Sequence, residues 1–177
     1  MAMRVIDNFL SKDELKTLQD TIVFNSNFPF FLNSHLNNMD TDSTNFWEWY
    51  GSNCIYRVSD DEQTIKGSNL YMSNIDLYNI IWGIFAPKIE CKKLIRIKAN
   101  FYPHTERVEE HAPHSDYDFE HAGAVYSLNT CDGYTKIENQ RVDSIENRIV
   151  FFNASKLHNS TTTSNAKGRF NINFNFL

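Results

Sequence analysis

The sequence has no excess of basic residues and few cysteines. Lys and Arg total 17 against 22 Asp and Glu, so the formal charge is -5 at pH 7. Such a chain lacks the basic field that holds a phosphate backbone, and we expect no nucleic-acid partner. The three cysteines, Cys54, Cys91 and Cys131, are widely spaced and form no CxxC pair. This pattern argues against a disulfide framework or a thiolate zinc site and favours a reducing compartment.

Long hydrophobic runs are absent as well. The longest, Ile80 to Ala86, contains Gly83 and is far shorter than the roughly 20 residues of a membrane span. The opening MAMRVIDNFL has neither the apolar centre nor the small-residue cleavage site of a signal peptide. We therefore expect a cytoplasmic protein with no membrane partner.

The sequence does contain enough apolar material for a packed core. Its 177 residues are 41% hydrophobic and include 14 Phe and 8 Tyr. This length and composition predict a single domain over residues 1–177. Residues 1–92 are expected to provide helical support and residues 93–177 a strand-rich core, while the oligomeric state stays open.

Two amphipathic helices are predicted in the first part of the chain. After a short strand over Arg4 to Phe9, Ser11 and Glu14 form a capping box that begins the first helix. The stretch from Asn25 to Asn53 shows no sustained hydrophobic period and is predicted to be irregular. Ser73 and Asp76 then begin a second helix that Pro87 ends. Its predicted buried stripe consists of Leu77, Ile80, Ile81, Ile84 and Phe85.

From residue 93 the hydrophobic period changes to the alternation of strands. Leu94 to Tyr102 alternates, and Gly168 to Leu177 does so almost perfectly. In that last segment the polar face carries Arg169, Asn171, Asn173 and Asn175. Further strands are predicted at Ala122 to Asn129, Thr135 to Glu138 and Arg148 to Asn153. The pattern predicts a mainly β fold with flanking helices: a β-sandwich or jelly roll with helices covering its apolar sheet surface and a functional cleft between the sheets.

Four of the six histidines crowd into residues 104–121, which suggests a metal site. Within this stretch His114 and Asp116 form a His-x-Asp motif, whose side chains project to the same face of an extended segment. Another imidazole, His158, follows a predicted strand, and Arg169 lies early in the final strand. Two histidines and one carboxylate are the facial triad of non-haem iron(II) oxygenases. We therefore interpret His114, Asp116 and His158 as metal ligands and catalytic residues.

Each assignment has a simpler alternative. His114 and Asp116 could be an exposed polar pair in a loop, and His158 could cap a turn. Arg169 could pair with a surface carboxylate, as exposed arginines usually do. His111 could replace His114 as a ligand or make a zinc site, although an extended chain places it on the opposite face.

The order of these motifs resembles that of the 2-oxoglutarate and Fe(II)-dependent dioxygenases, and most closely their prolyl 4-hydroxylase-like branch. The resemblance covers about Leu94 to Leu177, and the opening RVIDNFLSKDEL is similar to the strand and helix that begin this branch. It implies a double-stranded β-helix (a cupin-like jelly roll) with the N-terminal helices packed on its major sheet. It implies that His114, Asp116 and His158 bind Fe(II). It also implies that Arg169 binds the far carboxylate of the cosubstrate 2-oxoglutarate.

The resemblance extends to further cosubstrate contacts. Tyr102, in NFYP, is similar to the family tyrosine on the strand before the metal motif, and the segment 133–135 resembles the Gly-Gly-x-Thr turn, which adds Thr135. Asn100 and Asn171 lie on polar strand faces and complete the predicted cofactor-binding set. The chain departs from many relatives at Ser127, where they carry a second cosubstrate-binding tyrosine.

The resemblance implies an enzyme that couples decarboxylation of 2-oxoglutarate to succinate with hydroxylation of a C–H bond, with ascorbate as an optional reductant. A prolyl residue of a peptide or protein is the leading expected substrate. Two alternatives stay open. One is hydroxylation of another residue or of a small metabolite, and the other is a metal-binding jelly-roll protein without turnover.

Overall fold

The computed structural model describes residues 2–33, 48–58 and 71–177. The described part is mainly β, as expected from the sequence, with two α-helices, α1 (Lys12–Leu18) and α2 (Ile75–Phe85). Its strands are β1 (Arg4–Ile6), β2 (Phe31–Asn33), β3 (Tyr50–Arg57), β4 (Tyr71–Met72), β5 (Leu94–Pro103), β6 (Ala122–Ser127), β7 (Tyr134–Ile137), β8 (Gln140–Asp143), β9 (Ile149–Asn153), β10 (His158–Ser160) and β11 (Gly168–Phe176).

The strands form two antiparallel sheets. The larger sheet has the order β1-β9-β6-β11-β5-β3-β2, with β4 paired to β3, and the smaller has the order β10-β7-β8. β11 lies between β5 and β6 in the larger sheet, so Arg169 pairs with Tyr102 and Asn171 with Asn100. This two-sheet arrangement fits the expected jelly roll and brings the polar faces of β5 and β11 side by side.

The first helix begins as its capping box predicts. The Ser11 hydroxyl accepts from the Glu14 backbone N–H at 3.3 Å, and the Glu14 carboxylate accepts from the Ser11 N–H at 2.9 Å. The second helix begins at Ile75, because Asn74 rather than Ser73 provides the N-cap. The prediction that Ile80 belongs to the buried stripe of this helix is wrong, because the residue is 39% exposed.

The main hydrophobic core joins helical and strand side chains. Ile81 and Phe85 of α2 are fully buried, and the Phe85 ring lies 4.6 Å from the ring of Phe174 on β11. Leu18 of α1 and Ile22 belong to the same cluster. No helix in the described part of the chain is long and apolar enough to cross a membrane.

The strands predicted from the sequence begin and end within three residues of those observed. The prediction of an irregular stretch from Asn25 to Asn53 is wrong in both of the described parts of that stretch, because β2 lies in the first part and β3 begins in the second. Residues 34–47 lie outside the described part of the chain. The short strands β4, β8 and β10 were not predicted. Each has two to four residues, too few to show a period of their own.

Candidate metal centre

The two histidines of the His-Asp-His group face each other across a short antiparallel bridge. The backbone N–H of His114 donates to the carbonyl of His158, and the reverse bond is also made, both at 2.9 Å. Residues opposed in this way project their side chains to the same face of the ladder. Asp116 follows two residues later, with its own N–H bound to the Ala154 carbonyl at 3.1 Å. The extended backbone around residue 114 therefore places all three side chains together.

The potential ligand atoms of His114, Asp116 and His158 all lie within 4.8 Å of one another. The closest carboxylate contact joins His158 Nε2 to Asp116 Oδ2 at 3.7 Å. His158 Nδ1 lies 2.9 Å from the Lys156 carbonyl oxygen, which makes Nδ1 the protonated nitrogen and leaves Nε2 as a ligand. Two imidazoles and one carboxylate in this arrangement could hold one divalent metal ion.

The electrostatics of His114 and Asp116 suit a metal. Burial lowers the pKa of His114 to about 4, and the neighbouring His158 acts in the same direction, so the His114 ring is neutral near pH 7. Burial by itself would raise the pKa of Asp116, but the adjacent Arg96 guanidinium holds that pKa well below its usual range. The site thus offers a neutral imidazole and an ionised carboxylate, the protonation states that metal binding requires.

Arg169 is a buried arginine with neutral partners. Its side chain is among the largest fully buried ones, with 1% exposure. It donates to Thr135 Oγ1 at 2.6 Å, to Ser144 Oγ at 3.3 Å and to the Thr161 carbonyl at 3.3 Å, and its Cζ lies 5.2 Å from the Tyr102 ring centroid. Among the described residues no carboxylate contacts this guanidinium. An isolated buried cation is costly, so this environment favours an anionic ligand.

A small polar cavity lies between the two sheets and connects Arg169's surroundings to the histidines. We call this space the polar cavity. Two buried amide oxygens, Asn100 Oδ1 and Asn173 Oδ1, have no hydrogen-bond partner among the residues that the structure describes. Unsatisfied buried acceptors of this kind mark a place for water or a ligand. The cavity is lined by Lys98, Asn100, Tyr102, His114, Val125, Thr135, His158, Asn159, Ser160, Asn171 and Asn173.

The structure brings most of the predicted site residues to this cavity. Tyr102 and Thr135 contact Arg169, and the Asn100 amide donates to Asn171 Oδ1 at 2.9 Å. The alternative of a surface pair for Arg169 is wrong, since the side chain is buried. His111 lies outside the ligand group, with Nδ1 2.9 Å from Ser160 Oγ and its ring 5.4 Å from the Tyr102 ring.

Several residues of the site were not singled out from the sequence. Ser144 and Thr161 reach Arg169 from segments that show no period, so no local signal identifies them. The alternation of β5 puts Arg96 and Lys98 on its polar face but gives them no role. Their positions beside Asp116 and in the polar cavity follow from the pairing of β5 with β11.

No protein-family model matches the sequence, and no curated protein matches it. The fold, by contrast, matches many solved structures.

Three of these structures illustrate the match. A prolyl hydroxylase from Trichoplax adhaerens, in complex with a hypoxia inducible factor oxygen degradation domain peptide fragment, is 17% identical with a TM-score of 0.60, covering 98% of this chain and 83% of that one. A Pseudomonas putida prolyl-4-hydroxylase is 12% identical with a TM-score of 0.60, covering 98% and 91%. An oxidoreductase of the 2OG-Fe(II) oxygenase family from Burkholderia pseudomallei is 11% identical with a TM-score of 0.61, covering 98% and 83%. The chain therefore has the fold of 2-oxoglutarate/Fe(II) oxygenases, prolyl hydroxylases among them.

Proposed function

We propose that this protein is a dioxygenase that depends on Fe(II) and 2-oxoglutarate and hydroxylates a peptide or protein, with a prolyl residue as the leading substrate. The observation that carries the proposal is one cavity with two complementary ends. The His114, Asp116 and His158 ligand atoms lie within 4.8 Å of one another at one end, where His114 and His158 line the cavity. At the other end Thr135 and Tyr102 line it, and the buried Arg169 guanidinium lies directly behind them.

The donor set fits iron(II). Two neutral imidazoles and one carboxylate are the ligands of the facial triad, which leaves adjacent coordination positions open for reactants. Bound iron supplies the activation of O2 that couples oxidative decarboxylation of 2-oxoglutarate, to succinate and CO2, with hydroxylation of the substrate. In this scheme His114, Asp116 and His158 hold the metal, and the Lys156 carbonyl keeps the His158 ring in the required orientation.

The surroundings of Arg169 fit the far carboxylate of 2-oxoglutarate. A guanidinium can donate two parallel hydrogen bonds to a carboxylate, and burial strengthens them. Thr135 and Tyr102 already fix the orientation of the guanidinium, so little ordering is needed when the anion binds. Tyr102, Asn100 and Asn171 line the remaining length of the cavity and keep bulk water from the cosubstrate.

A peptide substrate is supported by the structural likeness alone. The Trichoplax neighbour was solved with a peptide bound, and the Pseudomonas neighbour is named a prolyl-4-hydroxylase. We extend that substrate class to this chain because it shares their fold and holds a His-Asp-His group within that fold.

The proposal is tested by metal binding and by coupled turnover. Purified protein is titrated with Mn(II), an unreactive substitute for Fe(II), and binding is followed by electron paramagnetic resonance. Succinate formation is then measured with Fe(II), 2-oxoglutarate and ascorbate, with and without proline-containing peptides and their alanine-for-proline counterparts. We expect Mn(II) binding and succinate formation that the proline-containing peptides stimulate.

The substitution His158→Ala tests whether His158 is a metal ligand. We expect it to weaken Mn(II) binding by more than the ~10–100-fold that loss of a supporting residue costs, and to abolish turnover. The matched control is His104→Ala, since His104 is exposed and lies outside the ligand group. Absence of Mn(II) binding by the unaltered protein, or equal binding by the His158 variant, contradicts the proposal. If only substrates of another class stimulate succinate formation, the prolyl substrate is wrong and the rest of the proposed function stands.

A further inference from the structure

Lys98 places a positive charge in the polar cavity, and this charge has no role in the proposed function. It lies in the middle of β5, opposite Asn173 on β11 and Cys54 on β3. Its side chain lines the polar cavity together with His114 and His158. The position therefore brings an ammonium to the metal end of the cavity.

Within residues 2–33, 48–58 and 71–177 this ammonium forms no ion pair, and the Asp116 carboxylate acts on it only at longer range. Its Nζ lies 5.3 Å from the ring centroid of Tyr50. The other cation on the same strand face, Arg96, is bound to Asp116 and so cannot supply a free positive charge. A partly buried ammonium without an acceptor is unfavourable, and an anionic ligand would satisfy it.

Lys98 and Arg169 lie at opposite ends of a stacked pair of tyrosines. Arg169 Cζ is 5.2 Å from the Tyr102 ring, the Tyr102 and Tyr50 rings are 5.8 Å apart at 19°, and Lys98 Nζ is 5.3 Å from the Tyr50 ring. Along β5 the four-residue step from Tyr102 to Lys98 corresponds to roughly 13 Å of strand. Two cations held apart in this way match a ligand that carries a negative charge at each end.

We propose that Lys98 and Arg169 form a two-point site for a dicarboxylate, in which Lys98 binds the carboxylate nearest the metal and Arg169 binds the far one. The inference rests on the proposed function, because it takes 2-oxoglutarate as the ligand and the His-Asp-His group as the metal site. It adds a role for Lys98, namely selecting 2-oxo acids by the carboxylate that approaches the metal.

The test separates the two ends of the ligand. Protein saturated with Mn(II) is titrated with 2-oxoglutarate, which has both carboxylates, and with oxalate, which is too short to reach from the metal to Arg169. Lys98→Met should raise the Kd for both ligands by about 10-fold or more, the effect of losing one charge-assisted hydrogen bond. Arg169→Met should raise the Kd for 2-oxoglutarate while leaving that for oxalate within about 2-fold.

Two further variants control for charge and folding. Lys92→Met makes the same chemical change at an exposed position and should leave both affinities unchanged. Lys98→Arg retains the positive charge and should keep most of the affinity of the unaltered protein. Melting temperatures and Mn(II) affinities measured on each variant show whether the fold and the metal site are intact.

The outcomes distinguish this inference from the function it rests on. If the unaltered protein binds Mn(II) and 2-oxoglutarate but Lys98→Met binds both ligands equally well, the role of Lys98 is overturned and the proposed function stands. If Lys98→Met affects 2-oxoglutarate but not oxalate, Lys98 does not bind the carboxylate at the metal, and the inference is again overturned. If the unaltered protein binds neither Mn(II) nor 2-oxoglutarate, both are wrong.

Discussion

Asp116 is held by protein side chains on both of its oxygens. The Arg96 guanidinium forms an ion pair with Oδ1, while Asn175 Nδ2 donates to Oδ2 at 2.8 Å. Arg96 Nε in turn donates to Asn175 Oδ1 at 2.9 Å, which closes a triangle of three side chains. The Asp116 side chain is only 5% exposed. Arg96 therefore both orients the carboxylate and compensates its charge.

Replacement of Arg96 should destabilise the metal-free protein strongly. Arg96→Met leaves a buried carboxylate without its cation, a change that typically costs about 3–5 kcal/mol. We expect Mn(II) to recover part of this loss, because the metal supplies positive charge to the same carboxylate. Urea denaturation of the variant and the unaltered protein, each with and without Mn(II), measures both effects.

The control for this prediction is an arginine whose ion pair faces solvent. Arg107 pairs with Glu109 and has 82% of its side chain exposed, so Arg107→Met should cost less than about 1 kcal/mol. If Arg96→Met is as mild as Arg107→Met, the triangle around Asp116 contributes little to stability. If Mn(II) stabilises both variants by the same amount, Arg96 does not compensate the charge of Asp116.

At the level of single residues the sequence pointed to the three side chains that the structure brings together, but not to the residues that support them. His114, Asp116 and His158 can be selected as candidate ligands from residue type and order, because metal chemistry restricts ligands to a few side chains. The role of Arg96 depends on a contact with a residue 20 positions away, and that contact exists only in the folded sheet. Supporting hydrogen bonds from Ser144 and Asn175 are hidden for the same reason.

Among the elements, β5 and β11 were predictable because each has one apolar and one polar face. Period-two alternation is a local property, and it identifies the face before the partner strand is known. β10 has only the three residues His158–Ser160, and its pairing is set by β7. The antiparallel bridge that joins His114 to His158 likewise depends on the complete fold. The sequence therefore predicted the strands that line the cavity, but not the short ladders that close it.

Gly133, which precedes β7, is expected to be sensitive to a side chain. A Cβ added there would lie 2.6 Å from the Thr162 carbonyl oxygen and 2.8 Å from Arg169 Cδ. Because the backbone oxygen cannot move aside easily, Gly133→Ala should cost about 1–3 kcal/mol of stability and displace Arg169. The displacement should raise the 2-oxoglutarate concentration needed for half-maximal binding. Thermal denaturation and ligand titration check the two effects.

Gly83, in the middle of α2, provides the opposite case. A Cβ there meets nothing within 4 Å, and the residue is exposed. Gly83→Ala should therefore stabilise the protein by up to about 1 kcal/mol through the gain in helix propensity, without effect on 2-oxoglutarate. Equal effects of the two glycine substitutions would show that crowding beside Arg169 is unimportant.

Across the whole molecule, Asp132 connects two segments that are distant in sequence. Its carboxylate accepts from Thr163 Oγ1 at 2.7 Å and from the Ser164 backbone N–H at 2.9 Å, which joins the segment before β7 to the segment before β11. Partial burial would raise the pKa of Asp132, but the hydrogen bonds from Ser164 and Thr163 prevail and lower it to about 2. The connection holds two chain segments near Arg169 in place only while the carboxyl is ionised.

Asp132 should make the stability of the protein depend on acid pH. An unfolded aspartate has a pKa of about 4, so between about pH 4 and the folded value of about 2 the unfolded chain binds more protons. The contribution of Asp132 is therefore fully present above pH 4 and is lost as the pH falls toward 2.

Asp132→Asn should be less stable at pH 7 but show a shallower decline over this range, as measured by urea denaturation at several pH values. Glu90→Gln, at an exposed position, should leave the slope unchanged. If the slope of Asp132→Asn equals that of the unaltered protein, the acid dependence originates in other carboxylates.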